Sequence, residues 1–414
     1  MSLVVMKFGG SSLSTLEKMK HVANIIINRK EQKNKIIAVV SAPGDKTDEL
    51  VTMIKSLTEK PSRREVDVLL TTGEMISIAL LTMTLCNLGE KAISMTGYQA
   101  GIVSDSNYTH AKIKKINVDK INEYLEKDNI IIVAGFQGVD INGNLTTLGR
   151  GGSDLTAVAL AASLCSNYCE IYSDVDGVYT TDPRLVKKAR KIDFLSYDTM
   201  IEMSETGAQV LQLRSIEVAK KYNVSIYAKS TFNENSGTLI TNVKELRRKK
   251  MEEPFISGIT FDKSQVKFSL FGLPNISGII AKILVTLARG NIIIDLISQF
   301  INSNNENNIV FTVNKNDMLK TKQELKILMK ELQIKTMLVN DKIVKISIIG
   351  LGIKSDPNII ARIFSMMYEK DIDFEMISTS DIRVSFIVNE INMQRAVESL
   401  HNEFKLSKIY NKTI

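Results

Sequence analysis

The octapeptide Val266-Lys267-Phe268-Ser269-Leu270-Phe271-Gly272-Leu273 recurs as Val344-Lys345-Ile346-Ser347-Ile348-Ile349-Gly350-Leu351, a shared V-K-x-S-x-x-G-L. Further on, Asp295-Leu296-Ile297-Ser298 is matched by Glu375-Met376-Ile377-Ser378. The second pair is set slightly wider apart, which the longer loop 352–356 accommodates. Helical stretches lie between the matched ends, at 276–288 and 358–368. Each copy closes with a strand and a helix, 309–313 then 319–332, and 384–388 then 393–404. A duplicated strand–helix–strand–strand–helix pattern confines this part of the chain to two α+β modules of the ferredoxin-like kind. Duplication at this length points to small ligand-binding or pairing modules and leaves the ligand open.

The preceding residues follow another rule. Leu3-Val4-Val5-Met6-Lys7-Phe8 reads as a short buried strand. Gly9-Gly10-Ser11-Ser12 turns it into a helix whose apolar face carries Leu16, Met19, Val22, Ala23 and Ile26. The unbroken apolar run 36–40 suits a strand covered on both faces. Further strands are expected at 92–96, 130–134, 169–172 and 225–228, the last of this part. A hairpin turn is expected at Ile141-Asn142-Gly143-Asn144. The stretch 66–72 leads to a helix start at Gly73-Glu74, and 207–221 reads as a helix. Repeated strand–turn–helix units predict an α/β sheet with helices on both faces. The polar residues fall after strands, where such sheets bind ligands. A dense charge run, 244–250, marks the domain boundary.

Composition narrows the function classes. The 414 residues suffice for two or three domains, and 44% hydrophobic with 24% charged content is ordinary for a soluble protein. No apolar run reaches the length of a membrane span, and no signal peptide is evident, so a cytoplasmic location is expected. Cys86, Cys165 and Cys169 fit that compartment, and Cys165 and Cys169, one helical turn apart, are expected to be buried thiols. The net charge of +7 lacks an aromatic-interleaved basic stripe, so nucleic acid is not an expected partner. His21, His110 and His401 have no nucleophile or acid nearby in sequence, which argues against histidine-based catalysis.

The residues that carry chemistry are cations, glycines and hydroxyls. In Gly149-Arg150-Gly151-Gly152-Ser153-Asp154 a glycine-rich turn opens an apolar helix, offering N–H groups and a positive dipole end to an anion. Arg150 can grip a carboxylate with two parallel bonds, and Asp154 can orient a lysine or, less directly, a metal. Gly9, Gly10 and Ser11 can cradle phosphate oxygens, with Lys7 pointing into the same space. This is no Walker A loop, because the lysine precedes the glycines. Ser41 and Thr47 either hydrogen-bond a small substrate or cap the following helix. Glu74 either stabilises a helix start or holds a substrate ammonium. The loop 173–184 holds three aspartates, Tyr179, which can flank a purine, and Arg184, which can neutralise phosphate.

Taken together, Lys7-Phe8-Gly9-Gly10-Ser11-Ser12, Gly149–Asp154 and Asp174-Val175-Asp176-Gly177-Val178-Tyr179-Thr180-Thr181-Asp182-Pro183-Arg184 closely resemble the motifs of the aspartokinases, in family order. The tail resembles the paired ACT domains of that family. The resemblance covers essentially the whole chain. It implies an amino-acid-kinase-type open sheet sandwiched by helices at 1–245, then ACT modules at 256–338 and 341–414. It also implies transfer of the γ-phosphoryl of ATP, with magnesium, to the side-chain carboxylate of L-aspartate. That step opens the route to lysine, threonine and methionine. In these roles Lys7 neutralises the transferring phosphoryl and Asp154 positions that lysine. Arg150 and Glu74 hold the substrate carboxylate and ammonium, with Ser41, Thr47 and Ser153 completing the pocket. Lys7, Gly9, Gly10, Ser11, Ser173, Asp174, Tyr179, Arg184 and Lys229 are implied for ATP, with no direct metal ligand assigned. Asp295 and Gln299 are implied for an amino-acid effector, lysine or threonine. Pairing of the ACT modules implies a homodimer, with a tetramer as the alternative.

The chain departs from the family pattern in three places. Met203–Gln209 replaces a small-residue run, and Gln212-Leu213-Arg214 lacks the usual His-Pro. Both are expected to affect packing on the nucleotide side. Gly272-Leu273-Pro274-Asn275 stands where a Pro-Gly turn is common. Other readings are a glutamate or acetylglutamate kinase of the same fold, and a catalytically silent amino-acid sensor.

Overall fold

A computed structural model describes residues 2–166, 168–242, 255–303 and 306–408, so the charge run at 244–250 lies outside them. The chain divides into two compact units. The first comprises Met1–Val178, Lys191–Glu205 and Gln209–Met251, the second Tyr179–Arg190, Thr206–Ala208 and Glu252–Ile414.

The first unit is built on an eight-stranded sheet. Its strands run in the order Phe194–Ser196, Thr238–Thr241, Ser225–Ser230, Tyr168–Ser173, Leu3–Phe8, Lys35–Val40, Ile130–Ala134 and Ala92–Met95. Neighbours are parallel except for Ser225–Ser230 with Thr238–Thr241. Strand Thr238–Thr241 follows the strand expected to be last. The central strand, Leu3–Phe8, is flanked by its immediate successor on one side and by a much later strand on the other. That reversal opens a crevice beyond the carboxyl ends of the strands, where ligands bind in sheets of this type. Val4, Met6, Val22, Ile26, Ile36, Ala38 and Ile132 belong to the core on one face of this sheet. A smaller sheet, in the order Ile113–Ile116, Ile102–Ser104, Gln137–Val139 and Leu145–Thr147, contains the expected hairpin.

Two helix expectations for this unit fail. Residues 66–72 are not a separate element before a helix start: Arg63–Asn87 is a single helix. Gly73 lies inside it because a β-carbon there would come within 2.8 Å of the Ala42 side chain. The glycine permits close approach and does not punctuate the helix. This helix is long and apolar enough to cross a membrane by length and composition, yet its Ile78, Leu81 and Leu85 are part of the sheet's core. Residues 207–221 are not one helix either. Helix Tyr197–Glu205 ends first, Gly207 takes φ 121° against the backbone of Phe261, and the next helix is Leu213–Tyr222.

The second unit contains two four-stranded antiparallel sheets. One runs Ile294–Ile301, Asn307–Asn314, Gln265–Leu273, Thr336–Asn340; the other runs Phe255–Asp262, Ile343–Leu351, Arg383–Asn389, Phe374–Thr379. Each copy of the V-K-x-S-x-x-G-L repeat is therefore an inner strand. Phe255–Asp262 precedes the first repeat in sequence but completes the sheet of the second. Helices Ile279–Arg289 and Met318–Glu331 pack on the first sheet, and Pro357–Glu369 and Met393–Glu403 on the second.

The repeated ion-forming residues are crossed between the copies. Lys345, 3% exposed at its side chain, pairs with Asp295 of the first copy, and Lys267 pairs with Glu375 of the second. Each lysine of the V-K motif thus meets the acid that opens the other copy's D/E-x-I-S motif. Burial of Leu296, Ile343 and Ile387 in one cluster backs the contact.

Candidate active site

Lys7 is the penultimate residue of the central strand. Its Nζ lies 2.7 Å from Asp154 Oδ1, with both side chains largely buried. Asp154 sits in the first turn of helix Gly152–Ser163, whose N-cap Gly151 is left-handed (φ 69°) and carries no side-chain cap. The ion pair therefore draws the Arg150 turn to the carboxyl end of the central strand. The lysine amine also lies over the glycine turn: a β-carbon at Gly9 would stand 3.6 Å from Lys7 Nζ.

The glycine turn is pressed against the next strand's exit. A β-carbon on Gly10 would meet the carbonyl oxygens of Ala42 and Gly44 at 2.7 and 2.9 Å, so no other residue fits there. Gly44 N donates to Gly10 O at 2.9 Å and Ser41 N to Phe8 O at 3.2 Å. Ser41 follows the second strand directly, and Thr47 occupies the first turn of helix Lys46–Leu57. No side chain caps the short helix Gly10–Leu13, so its leading N–H groups are not taken by a side-chain oxygen.

Ala42 links this turn to Glu74, donating its N–H to Glu74 Oε1 at 3.1 Å. Glu74 is only 3% exposed, and Oε2 has no hydrogen-bond partner. Burial pushes its carboxyl up to about 8, against the weaker pull of the backbone bonds from Glu74 and Ala42. Its place in the middle of Arg63–Asn87 excludes the helix-start explanation. Arg150 is exposed and makes no hydrogen bond or ion pair among the described residues. The site thus contains one buried carboxyl oxygen and one cation that the protein itself leaves without partners. Ser153, 6% exposed, packs against Gly135 at the end of a neighbouring strand.

Of the residues implied for ATP, Gly9, Gly10, Ser11 and Lys7 come together here. Ser173 and Asp174 follow the strand beside the central one, where Ser173 O accepts from Thr231 N at 2.9 Å. Thr231 Oγ1 is 2.6 Å from Ser12 Oγ, which ties that strand end to the glycine turn. Lys229 is placed elsewhere. It pairs in register with Tyr172, whereas Lys7 pairs with Ile171, so the two lysines face opposite sides of the sheet. Lys229 Nζ is 2.9 Å from the buried Glu170, which also binds Arg29 at 2.5 Å and accepts from Tyr172 Oη at 3.0 Å.

Tyr179 and Arg184 lie in the stretch that clusters with the second unit. There Ile259 N donates to Thr180 O at 2.7 Å, Thr180 Oγ1 is 3.0 Å from His401 Nε2, and Val186 joins the core. Arg184 is exposed, with its guanidinium forked onto Asp182 at 2.8–3.2 Å. The effector candidates are also engaged. Asp295 holds Lys345, and Gln299 Nε2 donates to Asn307 Oδ1 at 3.0 Å. Among the described residues no group of three or more His, Cys, Asp or Glu side chains is arranged to hold a metal ion.

The site also depends on residues that sequence reasoning passed over. Asp67, wholly buried two helical turns before Glu74, accepts from Thr109 N, Thr147 N and Thr147 Oγ1 at 2.7–3.1 Å. Its signal was a carboxylate seven residues from Glu74 on one helix face. Gln212 and Arg214, expected on the nucleotide side, stand against the Arg150 turn instead. Helix Leu213–Tyr222 packs beside Gly152–Ser163, a neighbour that no local pattern reveals.

Comparison with known proteins agrees with this geometry. The amino acid kinase family model matches residues 2–230, and an ACT domain model matches 346–404. The aspartate kinase of Pseudomonas putida is 41% identical over 406 residues, 98% of each chain. Aspartokinase 2 of Bacillus subtilis is 42% identical over 408 residues, 99% of each chain. Among solved structures, E. coli aspartokinase III in complex with aspartate and ADP aligns with a TM-score of 0.78 at 23% identity, covering 97% of this chain and 99% of that one. At that identity the likeness concerns the fold. Aspartate kinase from Synechocystis aligns with a TM-score of 0.55 at 34% identity, over all of this chain and 71% of that one. The fold, the order of its motifs and relatives matched along almost the entire length lead to one conclusion: the chain is an enzyme of the aspartate kinase family.

Proposed function

We propose that the enzyme transfers the γ-phosphoryl group of ATP to the side-chain carboxylate of L-aspartate, releasing ADP and 4-phospho-L-aspartate. One observation carries the reading. The Arg150 guanidinium and Glu74 Oε2, a cation and a buried carboxyl oxygen without protein partners, belong to the same assembly as the Lys7–Asp154 pair. An amino acid has a carboxylate for the first and an ammonium for the second, and aspartate brings a further carboxylate to present to Lys7. Ser41, Thr47 and Ser153 supply hydroxyls at the rim of this pocket.

The chemistry needs no general base, because a carboxylate is already nucleophilic at neutral pH. Catalysis then reduces to alignment and neutralisation of charge on the moving phosphoryl. Asp154 holds the Lys7 ammonium so that it meets that charge without reorganising. The N–H groups of Gly10 and Ser11 line the phosphates, Gly9 holding the turn by donating its own N–H to Tyr172 O at 3.1 Å, with Ser173 and Asp174 on the nucleotide side. Magnesium bound with the nucleotide would neutralise the β- and γ-phosphates, with Asp174 the nearest exposed acid after the strand.

Trapping the acyl phosphate with hydroxylamine tests the reading. Hydroxamate should form with ATP and aspartate. Formation with glutamate or acetylglutamate but not aspartate, or with none of them, would overturn it. The same assay with lysine and threonine, added singly and jointly, tests feedback control. E. coli aspartokinase III, solved with lysine and aspartate in its T-state, shares this fold with a TM-score of 0.74. We read the paired modules as the effector-binding and homodimerising part of the enzyme, the first committed step toward lysine, threonine and methionine.

A further inference from the structure

We propose that Arg214 is a positioning residue for the Arg150 turn, and that it sets affinity for the amino-acid substrate without touching it. The proposal rests on the reading of Arg150 as the grip for a substrate carboxylate.

The turn is demanding to hold. Gly149 and Gly151 both take positive φ, 80° and 69°, so the backbone on either side of Arg150 has no regular hydrogen-bond ladder. Arg214 supplies part of what is missing. Its Nη1 donates to Leu148 O at 2.5 Å and its Nη2 to Ala111 O at 3.0 Å. Ala111 N in turn donates to Thr147 O at 2.9 Å. One guanidinium thus clamps two adjacent segments at the residues leading into the turn. A planar fork suits two divergent carbonyls, whereas an ammonium offers a point charge.

The surroundings show that this placement is not incidental. Arg214 lies in the first turn of helix Leu213–Tyr222, where the helix dipole disfavours a cation. No carboxylate pairs with it among the described residues. Its charge is met by the two carbonyls. Neighbouring contacts converge on the same backbone. A β-carbon on Gly151 would lie 2.2 Å from Gln212 Cγ, and one on Gly149 would lie 2.8 Å from His110 Nδ1. The turn is therefore fixed at residue 148 by Arg214, covered at 149 and 151, and tied at 154 to Lys7. Arg150 alone projects unbound from this frame.

The test is steady-state kinetics on Arg214→Ala, Arg214→Lys, Arg150→Ala and the double variant Arg150→Ala/Arg214→Ala. For Arg214→Ala, KM for aspartate should rise about tenfold, the loss of one charge-assisted bond. KM for ATP and kcat should stay within about twofold. Lysine should restore only part of the loss. In the Arg150→Ala background, removing Arg214 should add nothing, because both changes disable one grip. Should Arg214→Ala fold poorly, Arg214→Lys and its own double with Arg150→Ala carry the same comparison. If Arg150→Ala raises KM for aspartate and the Arg214 variants do not, the inference falls alone. It also falls if KM for ATP rises equally, or if the two losses add in full. If Arg150→Ala leaves KM for aspartate unchanged, the pocket assignment falls and takes this inference with it.

Discussion

The two units treat their charges in opposite ways. In the second unit the acids and lysines of the repeats are matched within the protein: Lys345 with Asp295, Lys267 with Glu375. At the site in the first unit, Arg150 and one oxygen of Glu74 are left without partners, although Glu74 is buried. A buried carboxyl without a counter-charge is held protonated at a cost to the fold, so such a group persists where a ligand completes it. Matched pairs hold architecture, and unmatched ones mark where something binds. The Lys7–Asp154 pair stands between these cases. It is satisfied internally, yet it presents an ammonium beside the glycine turn.

Breaking that intermediate pair should have the largest effect. Lys7→Ala should lower kcat about 10²–10³-fold while leaving KM for aspartate nearly unchanged. A change confined to KM would remove Lys7 from the phosphoryl. Next comes the matched pair with the more buried lysine. Asp295→Asn strands the Lys345 ammonium and should cost about 2–3 kcal/mol in chemical denaturation, with basal turnover retained. Glu375→Gln, at the more exposed pair, should cost less than about 1 kcal/mol. Equal losses would mean that burial does not distinguish the two. On the unmatched side, Arg150→Ala should raise KM for aspartate about 10- to 100-fold, as expected for loss of a charge-assisted bond.

Glu74 gives the sharpest signature. Its folded pKa of about 8 exceeds the ordinary 4.5, so the ligand-free folded state binds the extra proton between those values. Stability should therefore be full below about pH 4.5 and fall by about 1.4 kcal/mol per pH unit as pH rises toward 8, for this group taken alone. Glu74→Gln should flatten that slope. Aspartate binding near pH 7 should release protons from the wild type and not from the variant, readable by calorimetry in buffers of different ionisation enthalpy. An identical pH profile in both proteins would show that Glu74 is already ionised without ligand.

Local chemistry was legible from residues alone. The lysine before two glycines and the arginine between glycines needed no fold to be singled out. The repeats at 266–273 and 344–351 were equally plain. The misreadings share one cause, that the decisive neighbour was distant in sequence. Gly73 looked like a helix start because its contact with Ala42 is invisible to periodicity. Nothing local discloses that Lys229 meets Glu170 on the side of the sheet away from Lys7.

The sequence by itself determined which groups this protein brings to its chemistry, since turn glycines, strand runs and side-chain charge are properties of short segments. Only the tertiary structure decided which of those charges are matched. It crossed Lys345 to the other repeat's acid, sent strand Phe255–Asp262 to the second sheet, and set Arg214 under the Arg150 turn. Pairing depends on distance and burial, and both are fixed when remote segments pack together.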